Sequence, residues 1–372
     1  METISNKYSK TSSKSGDNLN NTGIIRSLSR WYKNSRRDLP WRRTKDPYKI
    51  WISEIILQQT RVSQGLPYYK KFIRRFPTVR KLAAAGEDEV LRIWQGLGYY
   101  TRARNLHRCA MTVTRVFRGR FPEDYSGLLK LPGIGKYTAA AIASIAFDEK
   151  KAVLDGNVFR VIARLYGIKK NIAGYKNRKI FENIIDQLIP AASPGDFNQA
   201  VMELGATVCK PGEPDCPACP VKKYCVAFSK NLQKYLPVNR RKQIVKMRNF
   251  RYYIIHYRNR IYMKKRSADD IWKGLYDFFL LENDGKAGEN YRFHKTVHEL
   301  MKTGQAGERS DLYRIILSHQ VIQARFSHLY FKDKKDLKRI LEEPGSGLFT
   351  RKEAELLPKP LLIDNYLKEG KF

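Results

Sequence analysis

The chain is poor in cysteine, poor in acid and has no long apolar run. Five cysteines stand among 372 residues, and four of them fall within the 17 residues from Cys209 to Cys225. That argues against a secreted disulfide scaffold and for a reduced compartment with one metal site. No window approaches the roughly 18 consecutive apolar residues of a membrane span, so no membrane segment is expected. The opening stretch, METISNKYSKTSSKSGDNLNNTG, lacks the apolar core of a secretory signal. It reads as a disordered polar tail over residues 1–21.

Acidic residues number 36 against 71 Lys plus Arg, a formal charge of +35. A generally basic surface kept for solubility is the plainer explanation. A polyanion partner explains more, because Lys and Arg that neutralise phosphates release condensed counterions. The cations are mixed with aromatics in YYKKFIRRFP (68–77) and GYYTRARNLHR (98–108). That mixture suits bases and sugars packed beside phosphates.

The length predicts two or three domains. From Thr22 to about Phe228, apolar residues recur three or four apart, as in 23–35, 46–60, 87–98, 101–117, 135–147, 157–167 and 177–190. These segments predict helices. Residues 230–249 read as a basic linker. Beyond them FRYYIIHYRNRIYMKK (250–265) predicts two strands around an Arg-Asn turn. LYDFFLL (275–281) and QVIQARFSHLYF (320–331) predict further strands. The last third is therefore a separate α+β domain.

LKLPGIGKYTAAAIAS (129–144) raises the question of a bound phosphate. A nucleotide loop needs four residues between its first Gly and the Gly-Lys-Ser/Thr, and Tyr137 stands where the hydroxyl should be. Helix, Pro-Gly-Ile-Gly turn, helix instead matches a helix–hairpin–helix clamp on a DNA backbone. Gly133 and Gly135 permit close approach, and free N–H groups at the following helix favour an anion. A plain helical hairpin is the alternative. Cys209, Cys216, Cys219 and Cys225 form a four-thiolate set whose spacing alone admits zinc or an iron–sulfur cluster. Cys109 reads as core. Glu54 lies one helical turn from Trp51, and a carboxyl against an indole has a raised pKa that suits a general acid. Asp155 precedes Gly156 and Asn157 at a helix start, where a capping role competes with a catalytic one.

These signals meet in one family. RRDLPWR, SEIILQQT, FPTVRKLAAAGEDEVLRIWQGLGYYTRARNLH, LPGIGKYTAAAI, VLDGNVFRV, FNQAVMELGATVC and the cysteine set with its 6-2-5 spacing occur in the family's order. Residues 22 to about 228 resemble the helix–hairpin–helix DNA glycosylases of the endonuclease III class, and most of all the MutY adenine DNA glycosylases. The resemblance implies an all-α core. A six-helix barrel would span 44–151, and a discontinuous iron–sulfur domain would take 22–43 and 152–229 around a [4Fe–4S] cluster on the four cysteines. It implies a monomer acting on double-stranded DNA with A:8-oxoguanine or A:G mispairs, in the cytoplasm with the chromosomal DNA.

The same resemblance assigns roles. Glu54 would protonate a flipped adenine. Asp155, with Asn157 beside it, would steady the sugar cation, a division of labour shared with glycoside hydrolases. Tyr137 would sit next to the reacting sugar, where the lyases of the class carry a lysine that forms a Schiff base. Lys136, one residue earlier, matches a backbone contact, so little or no lyase activity is expected. Trp41, Arg42, Leu57 and Gln199 match the adenine pocket. Gln59, Thr60, Leu97 and Tyr99 match positions that probe the opposite base and fill the gap left by flipping.

Residues 250–372 resemble, more weakly, the family's Nudix-like domain that reads 8-oxoguanine, through DDIWKGLYDFFLLE (269–282). No Nudix metal box of clustered glutamates is present, so pyrophosphatase activity is not expected. Two stretches compete for the family's lesion-reading Phe-Ser-His. Phe326-Ser327-His328 matches literally but lies inside a strand pattern. Ser318 and His319 lie where a loop enters that strand, and are the choice.

Overall fold

The computed structural model describes residues 14–171, 175–238, 245–267, 270–282, 290–317 and 320–370. The helical part contains α1 (Lys14–Ser35), α2 (Pro47–Leu57), α3 (Val62–Arg75), α4 (Val79–Ala83), α5 (Glu87–Trp94), α6 (Tyr100–Val116), α7 (Tyr125–Leu128), α8 (Lys136–Ala146), α9 (Gly156–Leu165), α10 (Tyr175–Leu188) and α11 (Pro194–Thr207). Two boundaries differ from expectation. Helix α1 starts at Lys14, inside the stretch read as a disordered tail, while residues 1–13 of that tail lie outside the described residues. The segment 62–75, not expected as a helix, forms α3 although Pro67 lies within it. Its apolar stripe of Tyr69 and Phe72 is buried, and that burial outweighs the missing N–H.

The chain clusters into two compact units. One holds the described residues up to Gln58 with Val116–Arg241, and the other holds Gln59–Arg115 with Lys242–Phe372. The expected barrel segment 44–151 is thus shared between them. The physical reason lies in specific bonds within the second unit. Lys265 Nζ pairs with Asp88 at 2.5 Å, Arg104 donates to the Lys273 carbonyl, and the Lys359 N–H donates to Gln95 Oε1 at 3.3 Å.

In the first unit α8 is the central element. Its sequence KYTAAAIASIA buries Ala139, Ala140, Ala141, Ile142 and Ala143. Small residues let neighbours pack close, and α2, α7 and α11 all lie against it. At Gly195 an added Cβ would meet the Ser144 carbonyl at 2.6 Å, so the start of α11 rests backbone to backbone on α8. Trp51 of α2 packs its indole on Phe121, with centroids 5.3 Å apart.

In the second unit the C-terminal part is an α/β domain on a mixed eight-stranded sheet. The strands are β1 (Lys246–Tyr257), β2 (Arg260–Lys265), β3 (Tyr276–Asp277), β4 (Phe279–Glu282), β5 (Gln305–Arg309), β6 (Tyr313–Ile316), β7 (Gln320–Phe331) and β8 (Ser346–Phe349). The spatial order is β3-β2-β1-β7-β5, with β4 on β1, β6 on β7 and β8 on β2. Among the described residues only the β1–β7 pairing is parallel, from Lys246–Gln320 to Tyr257–Phe331. The expected hairpin turn at Arg258-Asn259 is present, with Arg258 at φ 52°. The basic linker is shorter than expected, because β1 begins at Lys246 and joins the sheet; residues 239–244 lie outside the described residues.

Candidate active site

Helix α2 begins where Asp46 caps the Tyr48 N–H at 2.9 Å and Pro47 fixes the first turn. It then buries Ile50, Trp51, Ile52, Ile55 and Ile56. Glu54 is carried into this setting and is only 8% exposed. Burial pushes its carboxyl up to about 7. A hydrogen bond with Tyr137 and the charge of Arg42 oppose the rise, while the charge of Asp155 adds to it. Residues distant in sequence are therefore brought around one carboxyl.

Tyr137 is the second residue of α8, and its hydroxyl also approaches Met202 Sδ at 3.2 Å. Burial beside two carboxyls raises the phenol well above its ordinary range, so it stays protonated. Asp155 caps α9: its Oδ1 accepts the Val158 N–H at 2.7 Å, and its Oδ2 accepts Asn157 Nδ2 at 2.9 Å. Burial raises this carboxyl above its ordinary value too, against the opposition of those donors and the charge of Arg160. Capping and chemistry need not compete here, because one oxygen is tied to the helix and the second to Asn157.

The second helical turn fixes this end of α9. Arg160 donates to Asn157 Oδ1 at 2.8 Å, to the Gly205 carbonyl at 2.8 Å and to the Cys209 carbonyl at 2.8 Å. Gly205 leaves room for this approach, since a Cβ there would lie 2.6 Å from Asn157 Cβ. The segment before Asp155 is held by buried Asn198, which accepts the Val153 N–H at 3.1 Å and donates to Ser144 Oγ and the Lys151 carbonyl at 2.8 Å each.

Of the expected base-pocket residues, Trp41 is buried in the short helical turn Pro40–Arg42. Arg42 and Gln199 line one cavity of about 290 Å³. Leu57 is half-buried at the end of α2. Sequence reasoning passed over Glu203. Its side chain is fully buried on α11 and accepts Arg37 Nη2 and Arg42 Nη2 at 2.6 Å each. Burial alone would raise this carboxyl, but the two arginines hold it down at about 2. It fixes Arg42 near Glu54. Its only sequence signal is an acid inside an apolar helix, and its partners lie more than 160 residues away.

The glycine turn joins α7 to α8. Gly133 takes φ 75°, which favours glycine, and an added Cβ at Gly135 would meet nothing within 4 Å. Gly133, Gly135 and Lys136 are exposed, while Leu131 and Ile134 anchor the turn in the core. In the second unit Gln59 and Tyr99 are exposed and both adopt positive φ, at 56° and 50°. Thr60 is half-buried and Leu97 buried. Ser318 and His319 lie outside the described residues. The competing Ser327-His328 pair sits within β7, with His328 buried and bonded to His256 Nε2 and Tyr366 OH at 2.8 Å each. His328 is a core residue.

Cys209, Cys216, Cys219 and Cys225 line one cavity beside Arg164. Arg164 donates to the Lys210 carbonyl at 2.8 Å and to Cys209 Sγ at 3.4 Å. Burial, joined by the other three thiolates, pushes Cys219 up to about 12. Four thiolates crowded in this way would be stabilised by a bound iron or zinc cation. Among the described residues, no three Cys, His, Asp or Glu side chains close on a point that a single ion would occupy.

One buried and one half-buried carboxyl, and a helix–hairpin–helix turn on a helical scaffold, define a DNA glycosylase of base excision repair. The family model described as HhH-GPD superfamily base excision DNA repair protein matches residues 52–190. The adenine DNA glycosylase of Buchnera aphidicola subsp. Acyrthosiphon pisum is 41% identical over 259 residues, covering 69% of this chain and 74% of that protein. The Homo sapiens adenine DNA glycosylase is 43% identical over 224 residues, covering 58% of this chain and 41% of that protein. A thermostable thymine-DNA glycosylase structure aligns with TM-score 0.52 and 31% identity, covering 58% of this chain and 99% of its own. The chain belongs to the adenine DNA glycosylase family of the HhH-GPD superfamily.

Proposed function

We propose that the enzyme, as a monomer, excises adenine mispaired with 8-oxoguanine or G from double-stranded DNA, by hydrolysis and without cutting the strand. The observation that carries this reading is the difference between its carboxyls: burial pushes Glu54 up to about 7, whereas at Asp155 two donated hydrogen bonds oppose the rise that burial causes. The target base is flipped out of the stack. Glu54 gives its proton to the departing adenine, and the electron pair of the N-glycosidic bond leaves with the base. The Asp155 carboxylate steadies the sugar cation until water adds. Tyr137 offers no amine for a Schiff base. Lys136 is exposed and one residue earlier, and a step along a helix turns a side chain by about 100°.

Trp41, Arg42, Leu57 and Gln199 hold the base, with Glu203 fixing Arg42. The N–H groups at the start of α8, Lys136 and the two glycines hold a backbone phosphate. Gln59, Thr60, Leu97 and Tyr99 enter the duplex, and Ser318 and His319 read 8-oxoguanine from the C-terminal, Nudix-like domain. The four cysteines fit a [4Fe–4S] cluster better than one zinc. Cys209, Cys216, Cys219 and Cys225 would each supply one thiolate to such a cluster, whose ligands need not converge on one point. Held by these four cysteines, a cluster would cross-link the loop whose Cys209 carbonyl accepts Arg160.

Duplexes carrying A opposite 8-oxoguanine, G or T test this reading. Adenine is released from the first two, the strand breaks only after alkali, and the protein itself is brown. Cleavage without alkali would establish a lyase, and a colourless active protein would rule out the cluster.

A further inference from the structure

Arg102 occupies an unfavourable place. It lies in the first turn of α6, at the positive end of a helix, and it is half-buried. Burial lowers its pKa to about 10, with Tyr99 opposing the fall. Two aromatic rings offset this cost. The guanidinium carbon lies 5.3 Å from the Trp94 ring centroid and 5.4 Å from that of Tyr99. Trp94 is fully buried, whereas Tyr99 is 39% exposed, so the stack runs from the core to the surface.

The backbone beneath is held in the same way. Trp94 Nε1 donates to the Gly98 carbonyl at 3.0 Å and Arg102 Nη2 to the same oxygen at 3.4 Å. The Arg102 N–H donates to the Tyr99 carbonyl at 2.8 Å. Gly96 and Gly98 take φ 97° and 72°, and Tyr99 follows at 50°, which a non-glycine residue rarely adopts. Such strain persists only where surrounding contacts over-determine it.

We propose that Arg102 is a positioning residue for base flipping: its guanidinium clamps Tyr99 against the buried Trp94, so that the tyrosine meets the duplex already shaped as a wedge. This rests on the reading above that Tyr99 fills the gap left by the flipped base. A preformed wedge avoids the cost of ordering a side chain on binding.

A double-mutant cycle on the full chain tests it, using a duplex with an uncleavable abasic-site analogue opposite 8-oxoguanine and 2-aminopurine beside it. Arg102→Met weakens binding about tenfold, in the range of a desolvated cation–aromatic contact, and lowers the 2-aminopurine unstacking signal. Tyr99→Leu does the same, and the double variant is no weaker than Tyr99→Leu alone. The salt dependence of binding stays unchanged in Arg102→Met. Should that variant not fold, Arg102→Lys keeps the charge without the planar fork, shows a smaller loss and runs the same cycle. If Tyr99→Leu alone is neutral, the wedge reading falls and the proposal with it. If Tyr99→Leu weakens binding and Arg102→Met adds its full loss on top, the proposal falls while the wedge reading stands. A salt slope lower by about 0.9 would make Arg102 a phosphate contact and also overturn the proposal.

Discussion

Glu54→Gln lowers single-turnover release of adenine by about 10²–10⁴-fold, the usual contribution of a positioned general acid. Glutamine has nearly the shape of glutamic acid, so α2 keeps its buried face and the duplex still binds. What is lost is the proton. Glu54 can hold one near neutral pH because burial raises its carboxyl to about 7. The change removes an ionisable group from a nearly closed site and leaves Ile52, Ile55 and Ile56 untouched, so melting temperature should change little. Rates within tenfold of the parent enzyme, at unchanged duplex affinity, would assign the proton to another group.

Asp155→Asn lowers base release by about 10²–10³-fold, the cost of removing one preorganised electrostatic contact to a transition state. This substitution separates two duties. Asn caps a helix about as well as Asp, so the bond from the Val158 N–H to the side chain is retained. The negative charge that the proposed mechanism sets against the sugar cation is removed. The expected pair of results is a large loss of rate with little loss of stability, measured by single-turnover kinetics and thermal unfolding. If both fall together, Asp155 serves chiefly as a cap. If neither falls, the site has been drawn around the wrong carboxyl.

What could be read from the sequence follows from how local each signal is. The β1–β2 hairpin and β7 carry their own period and turn, and β7 spans the expected 320–331. The glycine turn and the cysteine spacing are equally local. The strand expected over 275–281 breaks into β3 and β4, because Phe278 is taken into the core between them. Glu54 and Asp155 could be named from short stretches, but their unequal environments could not. The inequality comes first from burial, which pushes Glu54 up against the opposition of Tyr137 and Arg42, and then from the Val158 and Asn157 donors and the charge of Arg160, which oppose the same rise at Asp155. Glu203 and Asn198 were passed over because their partners lie far along the chain. The start of α1 was missed for the opposite reason, since its polar residues carry no apolar period to read.

The central claim is that a buried, protonated Glu54 delivers the proton that frees the base. The pH dependence of single-turnover adenine release tests it most directly. A carboxyl raised to about 7 is protonated below that pH and loses its proton above it. The rate should therefore be sustained on the acid side and fall about tenfold per pH unit above about 7. A rate that stays level or rises through pH 9, with the duplex still bound, would contradict the account.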